Sequence, residues 1–552
     1  MKLFTRRDFL KISGSAIALS AGGCLQRTAQ ATGESSKTRP NIILIMADDM
    51  GFSDIGCYGG EINTPNIDKL AANGLRYRNF YNAARCCPTR AALMTGLYSH
   101  QTGLGWMTVA DLGKPGYIGE LNDKCITIAQ GLKPAGYRCY MSGKWHVVFD
   151  KDMGPEGPKH NWPIQRGFDR YYGHLAGDGG YYKPRALTRD NTRIEAPDEN
   201  YYYTDAISDN AIEFINDHFS ENSNEPFFMY VAYYSPHRPL HAKPEDIAKY
   251  KGKYMVGWDE IRKRRYQKQK EIGLFNDEWD LSPRDNSVRA WNDVPENQRA
   301  LWDMRMATYA AMVDCMDQGI GRILGSLEKN KAMENTVIIF ISDNGGCAET
   351  AGNGNINIIG TAATSESYRT AWANASNTPF RMYKSFVHEG GISSPLIVHW
   401  PKNLTVPKGS FCDTTGHIID IMPTFLDLAG AKYPEEFNGQ EIYPLPGKSL
   451  VPTFTGSDVK REALYFEHEA NRAIRMGKWK LVSRAARRPP YKGQWELYDL
   501  ETDRTETNNL AEQHLEIVEQ MDSMWEKWAD ENNVSPIDGR GWNQKIRASI
   551  RL

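Results

Sequence analysis

The sequence lacks a large net charge of either sign, a Cys-x-x-Cys pair and a long apolar run. Its 66 lysine and arginine residues balance 68 acidic residues, so no broad field would attract nucleic acid or a charged membrane. Apart from the adjacent Cys86 and Cys87, the nine cysteines are widely spaced, and they do not predict a disulfide framework. Neither an internal repeat nor a transmembrane segment is evident. Any anionic ligand must therefore be held by local residues.

The N-terminal residues predict export. Residues 5–11 (TRRDFLK) have the pattern of a twin-arginine signal, and the apolar segment at 12–21 is too short to span a bilayer. We expect residues 1–32 to be a signal peptide that uses the twin-arginine export machinery to reach the periplasm or the cell surface. Residues 21–24 (AGGC) also fit a lipoprotein site with lipid on Cys24, and Ala21 in the usual leucine position leaves both alternatives open.

Apolar runs alternate with amphipathic helical segments over most of the 552 residues, which predicts an α/β fold. The expected architecture is a large mixed, mostly parallel sheet sandwiched by helices. The predicted strands lie at 41–47, 137–141, 227–234, 337–341 and 396–400. The predicted helices lie near 64–74, 204–219, 301–328 and 414–429.

Two further regions have a different character. Short strand patterns and an amphipathic helix at 510–530 predict a smaller C-terminal α+β domain over residues 441–552, after a large domain over residues 39–440. Residues 245–300 are charged and weakly periodic, which favours a solvated insertion with some helix. The run at 262–265 (RKRR) leaves a polyanion-binding patch as the alternative.

Polar side chains follow four of the predicted strands, at the carboxyl ends where open parallel sheets place their ligands. They are Asp48 and Asp49, Lys144 and His146, His237, and Asp343 and Asn344. Three carboxylates and one amide supply hard oxygen ligands, which suit calcium or magnesium. Calcium is preferred because neither a phosphate nor an obligatory water shell is implied.

Cys86 lies at a predicted helix start. Pro88 can begin this helix and Gly96 can end it, so free backbone N–H groups near Cys86 favour an anion. Arg90, one turn further on, adds a charge-assisted donor. The alternative of a buried cysteine pair before a core helix explains the apolar residues but not Arg90.

The pattern Cys86-x-Pro88-Thr89-Arg90, followed by residues 93–96 (LMTG), resembles the signature of type I sulfatases in the alkaline phosphatase superfamily. Thr89 stands where serine is commonest. The similarity runs from about residue 39 into the C-terminal domain and is strongest towards bacterial arylsulfatases, whose relatives include carbohydrate sulfatases. It includes the segments 48–51, 64–68, 143–146, 236–237, 343–345 and 384–391.

The resemblance implies that a separate maturase oxidises Cys86 to formylglycine. It implies that one calcium ion, bound by Asp48, Asp49, Asp343 and Asn344, polarises the sulfate oxygens. One hydroxyl of the hydrated formylglycine would then attack sulfur after deprotonation by Asp343.

The resemblance also assigns the remaining charged residues. Arg90, Lys144 and Lys384 would stabilise the charge on the sulfate oxygens. His237, with Lys384, would protonate the departing alcohol, and His146 with Arg90 would hold the second hydroxyl.

These expectations favour a sulfuric ester hydrolase that releases sulfate from a small-molecule or carbohydrate ester. A phosphomonoester, phosphodiester or phosphonate hydrolase of the same superfamily is one alternative. The other is a non-catalytic binder of sulfated polysaccharide in which Cys86 stays a thiol. Residues 177–182 (GDGGYY) are a candidate specificity loop.

Overall fold

The computed structural model describes residues 39–221, 224–275 and 279–549, and these residues form one compact unit. The predicted signal peptide and Cys24 lie outside the described residues. Within these ranges no helix combines the length and apolar character needed to cross a bilayer.

The large sheet has eleven strands among the described residues, and it is mixed with mostly parallel pairing at its centre. Its strands are β1 (Asn41–Ala47), β2 (Leu75–Tyr81), β3 (Arg138–Gly143), β4 (Arg170–His174), β5 (Leu187–Arg189), β6 (Thr192–Arg193), β7 (Phe227–Ala232), β8 (Thr336–Ser342), β9 (Ser393–His399), β10 (Ser410–Cys412) and β11 (Gly416–His417). Their order is β10-β2-β9-β8-β1-β7-β3-β4-β5-β6, and β11 also pairs with β2. Strands β8, β1, β7 and β3 are consecutive and parallel.

The remaining strands form two small antiparallel sheets, one of β12 (Glu436–Phe437) and β13 (Gln440–Glu441), the other of β14 (Leu464–His468), β15 (Asn471–Met476), β16 (Trp479–Ser483) and β17 (Trp495–Asp499). The helices are α1 (Pro65–Ala72), α2 (Cys86–Thr95), α3 (Ile128–Leu132), α4 (Tyr203–Ser220), α5 (Pro244–Ala248), α6 (Trp258–Glu271), α7 (Glu296–Lys329), α8 (Arg369–Ser376), α9 (Glu389–Ile392), α10 (Ile421–Ala429), α11 (Leu515–Glu531) and α12 (Trp542–Arg547).

Helices cover both faces of the large sheet. Along the fully buried β1, Ile42 and Leu44 belong to one apolar core, whereas Ile43 and Ile45 belong to the other. Helices α2, α3 and α10 contribute to the first core, and α1, α4 and α7 contribute to the second. A strand buried on both faces is apolar throughout, which is why the continuous apolar runs correctly predicted the α/β sandwich.

The C-terminal antiparallel sheet with α11 has the predicted α+β character. Buried charges join it to the large sheet: Lys480 of β16 lies 2.8 Å from Glu389 and 2.8 Å from Glu506. Arg504 also pairs with Glu389 at 2.9 Å. Burial raises the pKa of Glu389, but the Lys480 and Arg504 charges outweigh burial and lower this pKa to about 2. The boundary near residue 440 stays a prediction.

The prediction of a solvated insertion at 245–300 is wrong for α6. Arg262 and Arg265 are almost fully buried, as is Trp258 on the same helix. The Arg265 guanidinium lies 2.6 Å from Asp54 and 2.7 Å from Glu61. Two of the four basic residues at 262–265 are therefore unavailable to a polyanion, because Arg265 is neutralised by acids distant in sequence and Arg262 is buried while donating to Ser282.

We expect Arg265→Met to lower the free energy of unfolding by about 3–5 kcal/mol, since it leaves buried Asp54 without its cation. The adjacent Arg264 is itself exposed and pairs with the partly exposed Glu260, so Arg264→Met should change stability by no more than about 0.5 kcal/mol. Urea unfolding of both variants measures the difference. Equal effects would show that the buried pair contributes no net stability.

Candidate active site

The carboxyl ends of four neighbouring strands place the predicted site residues together. Ala47 of β1 pairs with Ser342 of β8, so Asp48 and Asp343 leave the sheet side by side. Asp49 has a positive φ of 66°, and its backbone N–H donates to Asp343 Oδ1 over 3.1 Å. This bond stabilises a conformation that is unfavourable for a residue other than glycine.

Each buried carboxylate has a buried basic partner. Lys144 Nζ lies 2.6 Å from Asp48, and Lys384 Nζ lies 2.6 Å from Asp49. Arg90 donates to Asp343 over 2.9 Å. All are essentially inaccessible to solvent. Three negative and three positive side chains therefore balance inside the protein, which is the arrangement that makes burial of charge tolerable.

The pKa shifts follow these contacts. Burial and the Asp343 carboxylate raise the pKa of Asp48, although Lys144 opposes them. For Asp49, burial is outweighed by the Lys384 ammonium, which lowers the pKa of Asp49 far below its usual range. Burial likewise works against protonated Lys384, but the Asp49 charge holds the pKa of Lys384 well above its usual value. The pKa values of Asp48 and Asp49 thus shift in opposite directions because the Asp343 carboxylate acts on Asp48, whereas the Lys384 ammonium dominates at Asp49.

Three oxygens of the predicted metal ligands fit a hard cation. Asp48 Oδ1, Asp49 Oδ2 and Asn344 Oδ1 are buried and have no hydrogen-bond partner among the described residues. The fourth predicted ligand, Asp343, already accepts from Asp49 N–H and Arg90, and each carboxylate oxygen can take a further interaction. Buried unpaired oxygens are costly unless they bind something, so this donor set suits calcium or magnesium.

Helix α2 begins at Cys86 and ends before Gly96, which has a φ of 70°, as the sequence predicted. Cys86 is buried and lines a cavity, whereas the Cys87 thiol points to the Trp106 carbonyl oxygen, 3.1 Å away. Burial raises the pKa of Cys86, while Lys144 and Lys384 oppose the rise. The Thr89 hydroxyl accepts from Ala83 N–H, a role that serine could also fill.

His146 and His237 line the same cavity. His237 Nδ1 lies 2.6 Å from the Arg238 carbonyl oxygen, and its Nε2 lies 3.5 Å from Asp49. Burial lowers the pKa of His237 to about 4, and burial also lowers the pKa of His146 well below its usual value. One ligand atom each from Asp48, Asp49 and His237 lies within 4.8 Å of the others.

The cavity has a volume of about 660 Å³, and the sequence predicted only part of its wall. Gly177 and Asp178 of the candidate specificity loop line it. The charged and aromatic lining residues that were not predicted are Arg85, Asp150, Arg185, Arg238, Glu349, Glu469, Arg540 and Trp542. Arg85 and Arg238 had a local signal, because they adjoin Cys86 and His237 in the sequence; no predicted site residue adjoins the others.

All predicted site residues lie around this end of the sheet. Asp48, Asp49, Asp343 and Asn344 contact one another or the three basic side chains. The cavity joins Cys86, His146, His237 and Lys384. Their individual chemical roles stay predictions.

Comparison with known proteins identifies the family. The sequence model of the sulfatase family matches residues 40–431, and the model of the N-sulphoglucosamine sulphohydrolase C-terminal region matches residues 380–531. A sulfatase of Schizosaccharomyces pombe is 32% identical over 91% of this chain and 95% of its own length. The Klebsiella aerogenes arylsulfatase is 29% identical over 75% of this chain and 92% of its own.

Relatives and solved structures include carbohydrate sulfatases. The N-acetylglucosamine-6-O-sulfatase of Bacteroides thetaiotaomicron is 27% identical over 93% of this chain and 90% of its own length. The structure of BT4656 with its substrate D-glucosamine-2-N,6-O-disulfate has a TM-score of 0.61 and 25% identity, covering 91% of this chain and all of that one. Since the family model spans most of the sequence, the chain belongs to the sulfatase family: it is a type I sulfatase with an alkaline-phosphatase-like fold, an enzyme that hydrolyses sulfate esters.

Proposed function

We propose that this sulfatase releases sulfate from an aryl or carbohydrate ester by means of formylglycine derived from Cys86 and one bound calcium ion. The observation that carries the proposal is the group of three unpaired, buried oxygens on Asp48, Asp49 and Asn344. They belong to the same charged cluster as Arg90, one helical turn after residue 86. The names of the arylsulfatase and N-acetylglucosamine-6-O-sulfatase relatives support both ester classes.

Calcium and formylglycine would have different chemical roles. Calcium held by Asp48, Asp49, Asp343 and Asn344 would act as a Lewis acid on a sulfate oxygen. Formylglycine would supply, when hydrated, two hydroxyls on one carbon at position 86.

The protein's own side chains bind and orient the sulfate group. Arg90 is fixed by Asp343 and by the Lys144 carbonyl oxygen, 3.0 Å away, so its guanidinium is held rigidly beside residue 86. Lys144 and Lys384 are each held by one carboxylate. Donors fixed before the substrate arrives need no reorganisation when negative charge develops on the sulfate oxygens.

We assign proton transfer to the residues of the charged cluster that line the cavity. Lys384 is the protonated group there, and it lies beside the cavity with His237. The Arg238 carbonyl oxygen accepts from His237 Nδ1–H and so directs Nε2 towards Asp49. We assign protonation of the departing alcohol to Lys384 acting through His237, whose unprotonated Nε2 can accept a proton and pass it on, deprotonation of the nucleophile to Asp343, and orientation of the second hydroxyl to His146 with Arg90.

Phosphate ester hydrolysis is the competing activity, because the same cluster would accept a phosphoryl group. Purified protein produced with a formylglycine-forming maturase should hydrolyse nitrophenyl sulfate with a kcat/KM at least about tenfold above that for nitrophenyl phosphate. Mass spectrometry of the peptide containing residue 86 should show an aldehyde in place of the thiol. A preference for phosphate, or an unmodified thiol in active protein, would refute the proposal.

We also propose that export is through the twin-arginine machinery to the periplasm or cell surface. This machinery moves folded proteins, and residue 86 is buried in the folded chain. Oxidation by the maturase must therefore precede folding in the cytoplasm. Mass spectrometry of the mature N-terminus distinguishes a cleaved signal peptide from lipid attachment at Cys24.

A further inference from the structure

The cavity extends beyond the residues assigned to the sulfate group. Its volume of about 660 Å³ lies in the range of about 300–1,000 Å³ that is usual for small-molecule sites. A second set of lining residues comes from the segments after strands β4, β7 and β8 and from the C-terminal part of the chain. These residues are Asp178, Arg185, Arg238, Glu349, Glu469 and Trp542. We call the region that they line the outer pocket.

Trp542 is a large apolar side chain that stays exposed beside this charged region. It lines the outer pocket and keeps 39% of its surface accessible. Its indole packs edge-on against buried Trp106, with ring centroids 4.9 Å apart, and the Arg85 guanidinium lies 5.8 Å from its ring centre. These contacts fix the orientation of the ring and leave part of it available to a ligand.

Glu469 reaches the outer pocket from a strained turn. Strands β14 and β15 are joined by Glu469 and Ala470, which have positive φ angles of 51° and 67°. Two-residue turns of this kind favour asparagine and glycine, because other residues are strained in the left-handed conformation. The Glu469 carboxylate accepts from Trp106 Nε1 over 2.9 Å. The turn thus holds an acid next to the residue that supports Trp542.

Paired acids and arginines form the rest of the outer pocket. Glu349 lies 3.0 Å from Arg85 and 3.1 Å from Arg238, and Asp178 lies 2.9 Å from Arg185. Burial raises the pKa of Glu349, but the Lys384 and Arg85 charges outweigh burial and lower this pKa to about 2. Glu349 is therefore an ionised acceptor at neutral pH, with guanidinium donors on either side.

The side chains of the outer pocket suit a sugar leaving group better than an aromatic one. An aromatic leaving group would cover the charged pairs without offering them hydrogen bonds, which is unfavourable. A sugar ring offers hydroxyl donors to carboxylates, hydroxyl oxygens to guanidinium groups and an apolar C–H face to an indole.

We propose that the outer pocket binds the sugar ring from which sulfate is cleaved. Trp542 packs against a face of the ring, while Glu349 and Glu469 accept hydrogen bonds from its hydroxyls. The assignment rests on the sulfatase function proposed above and narrows its substrate to carbohydrate sulfates.

The test compares two substrates in the formylglycine-containing enzyme. The first is nitrophenyl sulfate, and the second is the best substrate from a panel of hexoses and hexosamines, each carrying one sulfate at a different ring hydroxyl. Trp542→Ala and Glu349→Gln should each lower kcat/KM for the sugar sulfate at least about tenfold more than for nitrophenyl sulfate. Trp542→Phe, which keeps an aromatic ring, should recover most of the sugar activity.

Leu515→Ala is the matched control, because Leu515 is another large apolar residue, 63% exposed, that does not line the cavity. This variant should leave the ratio of the two kcat/KM values unchanged. Equal losses on both substrates in the pocket variants would overturn the assignment. Wild-type turnover of nitrophenyl sulfate without turnover of any sugar sulfate would overturn it and leave the sulfatase function intact. Turnover of neither substrate would refute the sulfatase function, and the pocket assignment with it.

Discussion

We expect the Cys86→Ala variant to hydrolyse sulfate esters about 10⁴-fold more slowly than the wild-type protein, or not at all. Residue 86 begins α2, is buried, and lines the cavity with Lys384 and His237. Removing the proposed nucleophile would eliminate the proposed covalent route, whereas the surrounding donors alone would retain only a small part of the acceleration. Alanine is a good helix former and is smaller than cysteine, so thermal unfolding should change by only a few degrees. Initial rates with nitrophenyl sulfate and circular dichroism measure the two effects.

Cys87→Ala is the matched control for this variant. The neighbouring Cys87 is equally buried, but its thiol contacts the Trp106 carbonyl oxygen and does not line the cavity. Its replacement should cost about 1 kcal/mol of stability and leave kcat/KM within about tenfold of wild type. Substantial activity in Cys86→Ala, or comparable losses in both variants, would place the nucleophile elsewhere.

The central strands and helices could be predicted because the local sequence pattern of each one agrees with its burial in the fold. The run at β1 is apolar throughout and is buried on both faces, and α2 has a proline near its start and a glycine after its end. Helix α6 was misjudged because Arg262 and Arg265 are indistinguishable in sequence from solvated arginines. The Arg265 partners Asp54 and Glu61 lie about 200 positions earlier in the chain, and Arg262 donates to Ser282 further along it.

The site was predictable to the extent that it depends on strand ends. Asp48 and Asp343 directly follow neighbouring parallel strands, so their proximity follows from the fold class. The outer pocket has no such regularity. Glu469 enters it from a hairpin turn and Trp542 from a short C-terminal helix, and only the packing of the C-terminal region against the large sheet brings them to the cavity.

The second large effect should come from calcium removal. We expect exhaustive treatment with a chelator to lower sulfatase activity at least about 100-fold, and to lower the unfolding temperature. Binding to the folded state alone stabilises it by about 2.7 kcal/mol at a concentration 100 times the Kd. Without a cation, Asp48 and Asp49 retain unpaired buried oxygens, which is costly. Calcium should restore both activity and stability at lower concentration than magnesium, because the donor set is not tied to a phosphate or a water shell.

Asn344→Ala tests whether these oxygens form the ion site. Asn344 leaves its amide oxygen unpaired while its amide nitrogen donates to Asp49, so its replacement removes one ligand and one orienting contact. The calcium concentration at half-maximal thermal stabilisation should rise at least about tenfold. Asn374→Ala is the control, because this buried asparagine accepts from the Asp285 backbone instead. It should lower stability without moving the calcium midpoint. A stability that is independent of calcium in the wild-type protein, or equal midpoints in both variants, would mean that the buried carboxylates are neutralised by Arg90, Lys144 and Lys384 alone.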